Sequence, residues 1–202
     1  MTKIKICGLK REEDVKYANE IKPDYIGFVF AGEKRKISFE EAGRLKPALD
    51  KNIKTVGVFV NEKIDNIINL CAKGIIDLIQ LHGDEDEAYI YRLKEKTDKP
   101  VIKAVKVKEK EKIHNFDTIA DYVLFDTYVP NEYGGSGKSF DMDLIKEYKN
   151  PFFIAGGINA ENAAKIIKEL SPYCVDISSG VETDGFKDLN KMKKIKNIIG
   201  VL

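Results

Sequence analysis

A cysteine and an aspartate at the ends of two predicted strands are the side chains best suited to acid–base chemistry in this sequence. Cys7 ends the alternating stretch Lys3–Cys7, and Asp126 ends the run Tyr122–Asp126. A thiolate can remove a proton and a protonated carboxyl group can donate one. An isolated cysteine is more often an inert apolar residue, and an aspartate after a strand is often only a cap. Cys174 is a useful comparison, because it lies at the opposite end of a predicted strand, where we expect a role in the core.

Eight short runs rich in β-branched and aromatic residues predict the strands that would position these side chains. They are Lys3–Cys7, Tyr25–Phe30, Thr55–Val60, Asp77–Leu81, Val101–Val105, Tyr122–Asp126, Phe152–Ala155 and Val175–Ser178. Helical periodicity predicts helices at Glu12–Ile21, Phe39–Leu49, Glu62–Ala72, Glu85–Lys96, Met142–Tyr148 and Ala160–Leu170, with a weaker one near Lys110–Ile119. Helix N-caps are expected at Ser38, Asn61, Asp84 and Asn159.

Strict alternation of strand and helix predicts an α/β protein with a parallel sheet. The count of eight strands favours a single (β/α)8 TIM barrel over residues 1–202, with eight parallel strands and an outer ring of helices. An open, doubly wound sheet is the alternative, because nothing in the sequence directly pairs the eighth strand with the first.

The composition describes a folded domain with an ion-rich surface. Lysine and arginine total 34 residues against 33 aspartates and glutamates, which leaves a formal net charge of +1, and 43% of the residues are hydrophobic. The two signs are interleaved, so no basic surface for nucleic acid is predicted. The chain enters its first strand at Lys3 without an apolar leader, and no apolar run is long enough to span a bilayer. We therefore expect a cytoplasmic protein without nucleic-acid or membrane partners.

The cysteines and histidines do not have the spacing of a disulfide framework or a metal site. The chain has three cysteines and two histidines, namely Cys7, Cys71, Cys174, His82 and His114. We therefore expect no bound metal.

In a parallel barrel the functional residues lie at the C-terminal ends of the strands and in the loops that follow. His82 follows the fourth predicted strand, and Asp176 lies in the eighth. Arg35, in the loop after the second strand, is one of only four arginines. It is either an ordinary solvated charge or a planar fork that grips a carboxylate. His82 is interpreted as a structural or substrate-contacting residue rather than the main base.

Glycine-rich turns after the last strands predict a phosphate site. Gly156 and Gly157 follow the seventh strand, and Ser179 and Gly180 follow the eighth, where backbone N–H groups at helix N-termini hold phosphate in this class of barrel. Each turn alone is no more than a chain reversal, but the two on adjacent strands together favour a phosphate ligand. The loop Gly134-Gly135-Ser136-Gly137 is interpreted as a flexible loop or a lid over the site.

These motifs, taken in order along the whole chain, resemble the phosphoribosylanthranilate isomerase family. The resemblance rests on Lys5-Ile6-Cys7-Gly8, Gly27-Phe28-Val29-Phe30, Val56-Gly57-Val58-Phe59-Val60-Asn61, Gln80-Leu81-His82-Gly83, Asp126 with Gly134-Gly135-Ser136-Gly137, Gly156-Gly157 with Asn159, and Asp176-Ile177-Ser178-Ser179-Gly180-Val181-Glu182. A linked set of this kind is far more specific than any one of its members.

The resemblance implies an intramolecular isomerase of tryptophan biosynthesis that uses neither cofactor nor metal. Its substrate would be the phosphosugar–anthranilate conjugate N-(5-phosphoribosyl)anthranilate, converted by an Amadori rearrangement into 1-(2-carboxyphenylamino)-1-deoxyribulose 5-phosphate. By the family's pattern, Asp126 is the general acid and Cys7 the general base. Arg35 would bind the anthranilate carboxylate, and Asp176 would bind the substrate's polar groups. The oligomeric state would be a monomer or a homodimer.

Two alternatives remain at this stage. One is another phosphosugar barrel enzyme: an epimerase would need a metal site rich in histidine, and an indole-glycerol-phosphate synthase would need a lysine acid, for which Lys103 is the one residue to test. The other is a phosphate-ligand binding barrel without catalysis, which has no need for Cys7 and Asp126 to face each other.

Overall fold

The structure, a computed structural model, describes residues 1–107, 116–126 and 142–201. Eight parallel strands pair in chain order into a closed barrel. They are β1 (Lys3–Cys7), β2 (Tyr25–Val29), β3 (Lys54–Phe59), β4 (Leu78–Leu81), β5 (Val101–Lys106), β6 (Tyr122–Asp126), β7 (Phe152–Ala155) and β8 (Cys174–Ile177). The predicted TIM barrel is therefore confirmed, and the open sheet is excluded because β1 pairs with both β2 and β8.

Helices follow most of the strands and pack on the outside of the barrel. They are α1 (Glu12–Ile21), α2 (Phe39–Leu45), α3 (Ile64–Ala72), α4 (Glu87–Lys94), α5 (Ala163–Leu170) and α6 (Leu189–Gly200), with 3-10 turns at Lys46–Ala48, Met142–Leu144 and Ser179–Val181. A two-stranded hairpin, β9 (Glu182–Thr183) and β10 (Phe186–Lys187), lies between β8 and α6. None of the helices among the described residues is long and apolar enough to cross a membrane.

Two predicted helices do not form as predicted. The segment Met142–Tyr148 contains only a 3-10 turn at Met142–Leu144, and the Tyr148 ring packs edge-on against Phe125 and Phe152. Of the segment Lys110–Ile119, residues 116–119 are not helical, and residues 110–115 lie outside the described part.

The predicted N-caps were correct for one helix of four. Ser38 accepts a hydrogen bond from the Glu41 amide at the start of α2. The other three helices begin after Lys63, Asp86 and Asn162 instead of after Asn61, Asp84 and Asn159. The predicted residues serve the loops: Asn61 Oδ1 accepts from the Asp84 amide, and Asn159 Oδ1 accepts from the Glu161 amide.

The alternation of strand side chains divides the core into two clusters. The larger cluster fills the space between the sheet and the helices. The smaller one fills the barrel interior and consists of Tyr25, Val56, Leu78, Ile102, Ala104, Leu124, Phe153, Ala155 and Cys174. Cys174 is thus a buried core residue, as the sequence predicts. Above this apolar layer, Lys5, Gln80 and Asp176 are buried polar residues, and they form the floor of the barrel mouth.

Candidate active site

A cavity of about 630 Å³ opens at the C-terminal ends of the strands. It is lined by Cys7, Val29, Ala31, Gly32, Glu33, Lys34, Arg35, Val58, Val60, Gln80, His82, Asp126, Ala155, Gly156, Gly157, Ile158, Asp176, Ser178 and Ser179. A slightly larger cavity of about 730 Å³ lies at the opposite end of the barrel, beside residues that include Tyr25, Lys54, Asp77, Lys99 and Tyr122. The first cavity is the candidate active site, because it holds the thiol and carboxyl pair at the end where barrel enzymes bind their substrates.

Most of the residues predicted from the sequence meet in this cavity. Its lining includes Cys7, Arg35, His82, Asp126, Gly156, Gly157, Asp176 and Ser179. Gly180 does not line it, and Gly134, Gly135, Ser136 and Gly137 lie outside the described residues.

Cys7 ends β1 and is buried against β2. It is in register with Gly27, and a Cβ atom built on Gly27 would lie 2.7 Å from Cys7 Sγ and 3.2 Å from Lys5 Nζ. Glycine is therefore the residue that leaves room for both groups at this point. Burial, the largest cause, leaves the pKa of the Cys7 thiol above its ordinary value, although the positive charges of Lys5 and Lys187 act to lower it.

An ion pair between neighbouring strands lies below the thiol. Lys5 Nζ is 2.8 Å from Asp176 Oδ2, and the two residues are in register on β1 and β8. Burial is the largest influence and opposes the charge on Lys5, but the charges and hydrogen bonds of Asp176 and Cys7 together outweigh it and raise the pKa of the ammonium group. The second carboxylate oxygen, Asp176 Oδ1, is buried without a partner among the described residues. A ligand hydroxyl entering the cavity could therefore donate to it.

Asp126, at the end of β6, is held by a polar chain that begins on β4. His82 Nε2 lies 3.1 Å from Asp126 Oδ2, and Gln80 Nε2 lies 2.9 Å from His82 Nδ1. Gln80 and His82 lie two positions apart, so both face the barrel interior. The Gln80 amide nitrogen can only donate, so His82 Nδ1 accepts from it, and His82 Nε2 carries the hydrogen that is donated to Asp126 Oδ2.

Arg35 binds a carboxylate of the protein itself. Its Nε and Nη2 atoms donate to Glu182 Oε1 and Oε2 at 2.8 and 2.7 Å, and Lys187 Nζ lies 2.6 Å from Glu182 Oε1. Burial would raise the pKa of Glu182, but the two cations lower it to about 2. This bidentate pair orients the guanidinium group, and one N–H on each Nη atom remains on its outer edge.

We expect the Glu182 carboxylate to stabilise the fold mainly above pH 4.5. Its pKa is about 2 in the folded protein and near 4.5 in the unfolded chain, so its contribution is lost as the pH falls between these values. At pH 7, Glu182→Gln should lower the free energy of unfolding by roughly 1–2 kcal/mol. This is less than the pKa shift alone would give, because solvent on the exposed side of the ion pair screens the interaction. Urea denaturation at pH 7, 5 and 3 should show the difference between wild type and variant shrinking. A difference that stays constant with pH would contradict this assignment.

Gly180 supports the cavity by close packing. A side chain on this residue would overlap the carbonyl oxygen of Ile158 in the loop after β7. The glycine therefore lets the loops after β7 and β8 touch. The glycine turn after β7 does not lie at the helix N-terminus that the sequence predicts, because α5 begins at Ala163 and a loop intervenes.

Gly180→Ala should lower the free energy of unfolding by about 2–3 kcal/mol, because backbone atoms of the neighbouring loop must move. Gly200→Ala is the matched control, since nothing lies within 4 Å of a Cβ atom there. Urea denaturation of both variants measures the difference. A Gly180→Ala protein as stable as the Gly200→Ala protein would contradict the overlap.

Several residues of the site were not predicted from the sequence. Alternation along β1 and β4 could have identified Lys5 and Gln80, because they share the inward face with Cys7 and His82. No local signal singles out Glu182, which binds Arg35, or Lys187, which binds Glu182, because both lie on a hairpin far along the chain.

Lys103 is excluded as an acid in this cavity. Its ammonium group lies 2.8 Å from the Gly83 carbonyl oxygen and 3.2 Å from Glu85, outside the cavity lining. Within the described ranges, no group of three His, Cys, Asp or Glu side chains is placed to hold a metal ion. The arrangement therefore offers acid–base chemistry between Asp126 and Cys7, beside groups that can bind anions and hydroxyls.

Comparison with known proteins identifies the family of this chain. Residues 4–197 match the family model described as N-(5'-phosphoribosyl)anthranilate (PRA) isomerase. The N-(5'-phosphoribosyl)anthranilate isomerase of Endomicrobium trichonymphae is 63% identical over 199 residues, which cover 98% of each chain.

Solved structures give the same result. The phosphoribosyl anthranilate isomerase of Thermotoga maritima superposes with a TM-score of 0.85 at 38% identity, covering 99% of this chain and 100% of the other. A phosphoribosyl anthranilate isomerase in complex with reduced 1-(o-carboxyphenylamino)-1-deoxyribulose 5-phosphate has a TM-score of 0.82 at 32% identity and full coverage of both chains. Another structure shows monomers generated from the dimeric Thermotoga maritima enzyme. This chain therefore belongs to the N-(5'-phosphoribosyl)anthranilate isomerase family.

Proposed function

We propose that this protein isomerises N-(5-phosphoribosyl)anthranilate to 1-(2-carboxyphenylamino)-1-deoxyribulose 5-phosphate, a step of L-tryptophan biosynthesis. The observation that carries the proposal is the placement of Cys7 and Asp126 in one cavity of a chain from this family. They stand on β1 and β6, which β7 and β8 separate, so acid and base approach a ligand from different sides.

In the first step, Asp126 protonates the ring oxygen of the furanose. The bond from C1 to that oxygen breaks, and the nitrogen lone pair forms a C1=N double bond, which leaves an open-chain iminium ion. His82 holds the Asp126 carboxyl group in place for this transfer. An aspartate has an ordinary pKa of about 3.9, so the site must favour its protonated form near neutrality.

In the second step, the Cys7 thiolate removes the proton from C2. The electron pair of the C–H bond forms C1=C2 and neutralises the iminium nitrogen. The resulting enolamine tautomerises to the ketone, and all atoms of the substrate are retained. Because the iminium ion acidifies the C2 proton, a modest base such as a thiolate is sufficient.

The remaining groups bind the substrate in this proposal. The outer edge of Arg35 receives the anthranilate carboxylate, since the inner edge is taken by Glu182. Asp176 Oδ1 accepts from a sugar hydroxyl. The backbone of Gly156, Gly157 and Ser179, which line the cavity, holds the phosphate, and Gly180 keeps the loop that carries Ser179 packed against the loop after β7. Gly156 and Gly157 have φ values of 102° and 63°, which turn the chain at the cavity wall.

The decisive experiment follows anthranilate-type fluorescence when the purified protein is mixed with freshly made N-(5-phosphoribosyl)anthranilate in the presence of EDTA. Rapid loss of fluorescence, with the ketose phosphate as product, is the expected result. A folded protein that binds the substrate and leaves it intact would reverse the proposal in favour of a non-catalytic phosphate-binding barrel. A cytoplasmic location and a monomeric or homodimeric state stay predictions from the sequence.

A further inference from the structure

Lys5 occupies an unusual place for a lysine. It lies between Lys3 and Cys7 on the inward face of β1, and it is fully buried. A lysine ammonium group is buried only where other groups compensate its charge. The side chain therefore has a role inside the barrel that its neighbours must explain.

Asp176 compensates this charge only from one side. Lys5 Nζ donates to Asp176 Oδ2, while Oδ1 has no partner among the described residues. The ammonium group has three N–H donors. The pair with Asp176 uses one of them, so Lys5 can also act on a second acceptor.

The Cys7 sulfur lies beside the same ammonium group. Both atoms lie against the bare backbone of Gly27, at 2.7 Å for the sulfur and 3.2 Å for the nitrogen from a Cβ atom built there. The charge of Lys5 lowers the pKa of the thiol, and the charge of Asp176 raises it. The two members of the ion pair thus act on Cys7 in opposite directions.

Two further cations lie near the thiol, but each of them binds a carboxylate instead. Arg35, from the loop after β2, and Lys187, from β10, both bind the Glu182 carboxylate. Lys187 also lowers the pKa of Cys7, by less than Lys5 does. Lys5 is therefore the cation that acts most strongly on the sulfur.

We propose that Lys5 is the positioning residue that maintains Cys7 as a base, with its ammonium group shared between the Asp176 carboxylate and the Cys7 sulfur. The catalytic role of Lys5 rests on the proposed function. The placement of Lys5 beside Asp176 and Cys7 is observed in the structure and does not depend on that function. During the reaction the thiolate takes the C2 proton and becomes a thiol, while Lys5 stays charged beside Asp176. Lys5 thus provides a fixed positive charge that the reaction does not neutralise.

The experiment measures the rate of Cys7 alkylation by iodoacetamide against pH, with the modified peptide identified by mass spectrometry. No substrate is needed, so the result does not depend on the proposed reaction. Lys5→Met should move the alkylation profile of Cys7 to higher pH and slow the reaction at pH 7 by about tenfold or more, since one pKa unit is a tenfold change. Asp176→Asn should move it to lower pH, because it removes a negative charge and frees Lys5.

Lys3→Met is the matched control, because Lys3 shares the inward face of β1 but binds Tyr173 at the far end of the barrel. Its alkylation profile should match wild type. If Lys5→Met does not fold, the test rests on Asp176→Asn and on the Lys5→Met/Asp176→Asn double variant, which leaves no unpaired buried charge. An unchanged or upward-shifted profile in Asp176→Asn would overturn the proposal, as would an unchanged profile in folded Lys5→Met.

The catalytic readout is the pH dependence of kcat/KM. Its acidic limb should move with the alkylation profile in each variant. Normal alkylation shifts in a protein that turns over no substrate would leave the role of Lys5 intact and contradict the proposed reaction instead.

Discussion

Asp126→Asn is expected to lower kcat by roughly 10³–10⁴-fold while KM stays within a few-fold of wild type. Asparagine keeps the shape of the side chain and can still bond to His82, which lies 3.1 Å from the carboxylate. It has no proton to give at an ordinary pH, so the furanose ring cannot open. Steady-state fluorescence assays with N-(5-phosphoribosyl)anthranilate measure both constants.

Glu33→Gln is the matched control for this variant. Glu33 is an exposed carboxylate that also lines the cavity, so Glu33→Gln makes the same carboxyl-to-amide change at a position with no assigned role. We expect this control to retain turnover. Near-normal kcat in Asp126→Asn, or an equal loss in both variants, would show that the carboxyl group of Asp126 is not the acid.

Cys7→Ala is expected to lower kcat by a similar factor, because the base of the second step is gone. Cys7→Ser should not restore activity, since a hydroxyl group is a far weaker acid than a thiol and supplies no alkoxide near neutrality. Substrate carrying deuterium at C2 should react more slowly than unlabelled substrate in the wild-type protein if removal of the C2 proton limits the rate.

Cys71→Ala separates this effect from a general loss of thiols. Cys71 is a half-buried residue of α3, away from the cavity lining. We expect full activity in this control. A Cys7→Ala protein with activity within a few-fold of wild type would show that Cys7 is an inert buried cysteine and not the base.

The two variants also distinguish the alternatives that the sequence left open. A non-catalytic phosphate-binding barrel would bind substrate equally well with and without the Cys7 and Asp126 side chains. A synthase-like enzyme would depend on Lys103, whose ammonium group is held by Gly83 and Glu85 outside the cavity. Loss of turnover in both variants, with binding retained, is compatible only with an acid–base pair.

The sequence by itself determined the architecture and the main reactive groups. The sequence placed β1, β6 and β7 correctly to the residue, because the charged–apolar alternation of β1 and the apolar runs of β6 and β7 can both be read locally. The rule that sites lie at the C-terminal ends of barrel strands then brought Cys7 and Asp126 to one cavity.

Helix starts were less predictable. Asn61, Asp84 and Asn159 have the chemistry of N-caps. Asn61 and Asn159 instead accept from loop amides, and the Asp84 carboxylate accepts from the Asn61 side-chain amide. Capping residues and loop residues share the same side-chain acceptors, so the choice between them depends on where the loop must run.

Only the tertiary structure decided how the charges are paired. Lys5 pairs with Asp176 because closure of the barrel puts β8 beside β1, and Arg35 pairs with Glu182 because the β9–β10 hairpin lies next to the loop after β2. Partners so far apart in the chain leave no periodic signal in the sequence. Electrostatic pairing depends on distances of a few ångströms, and those distances exist only once the barrel is closed.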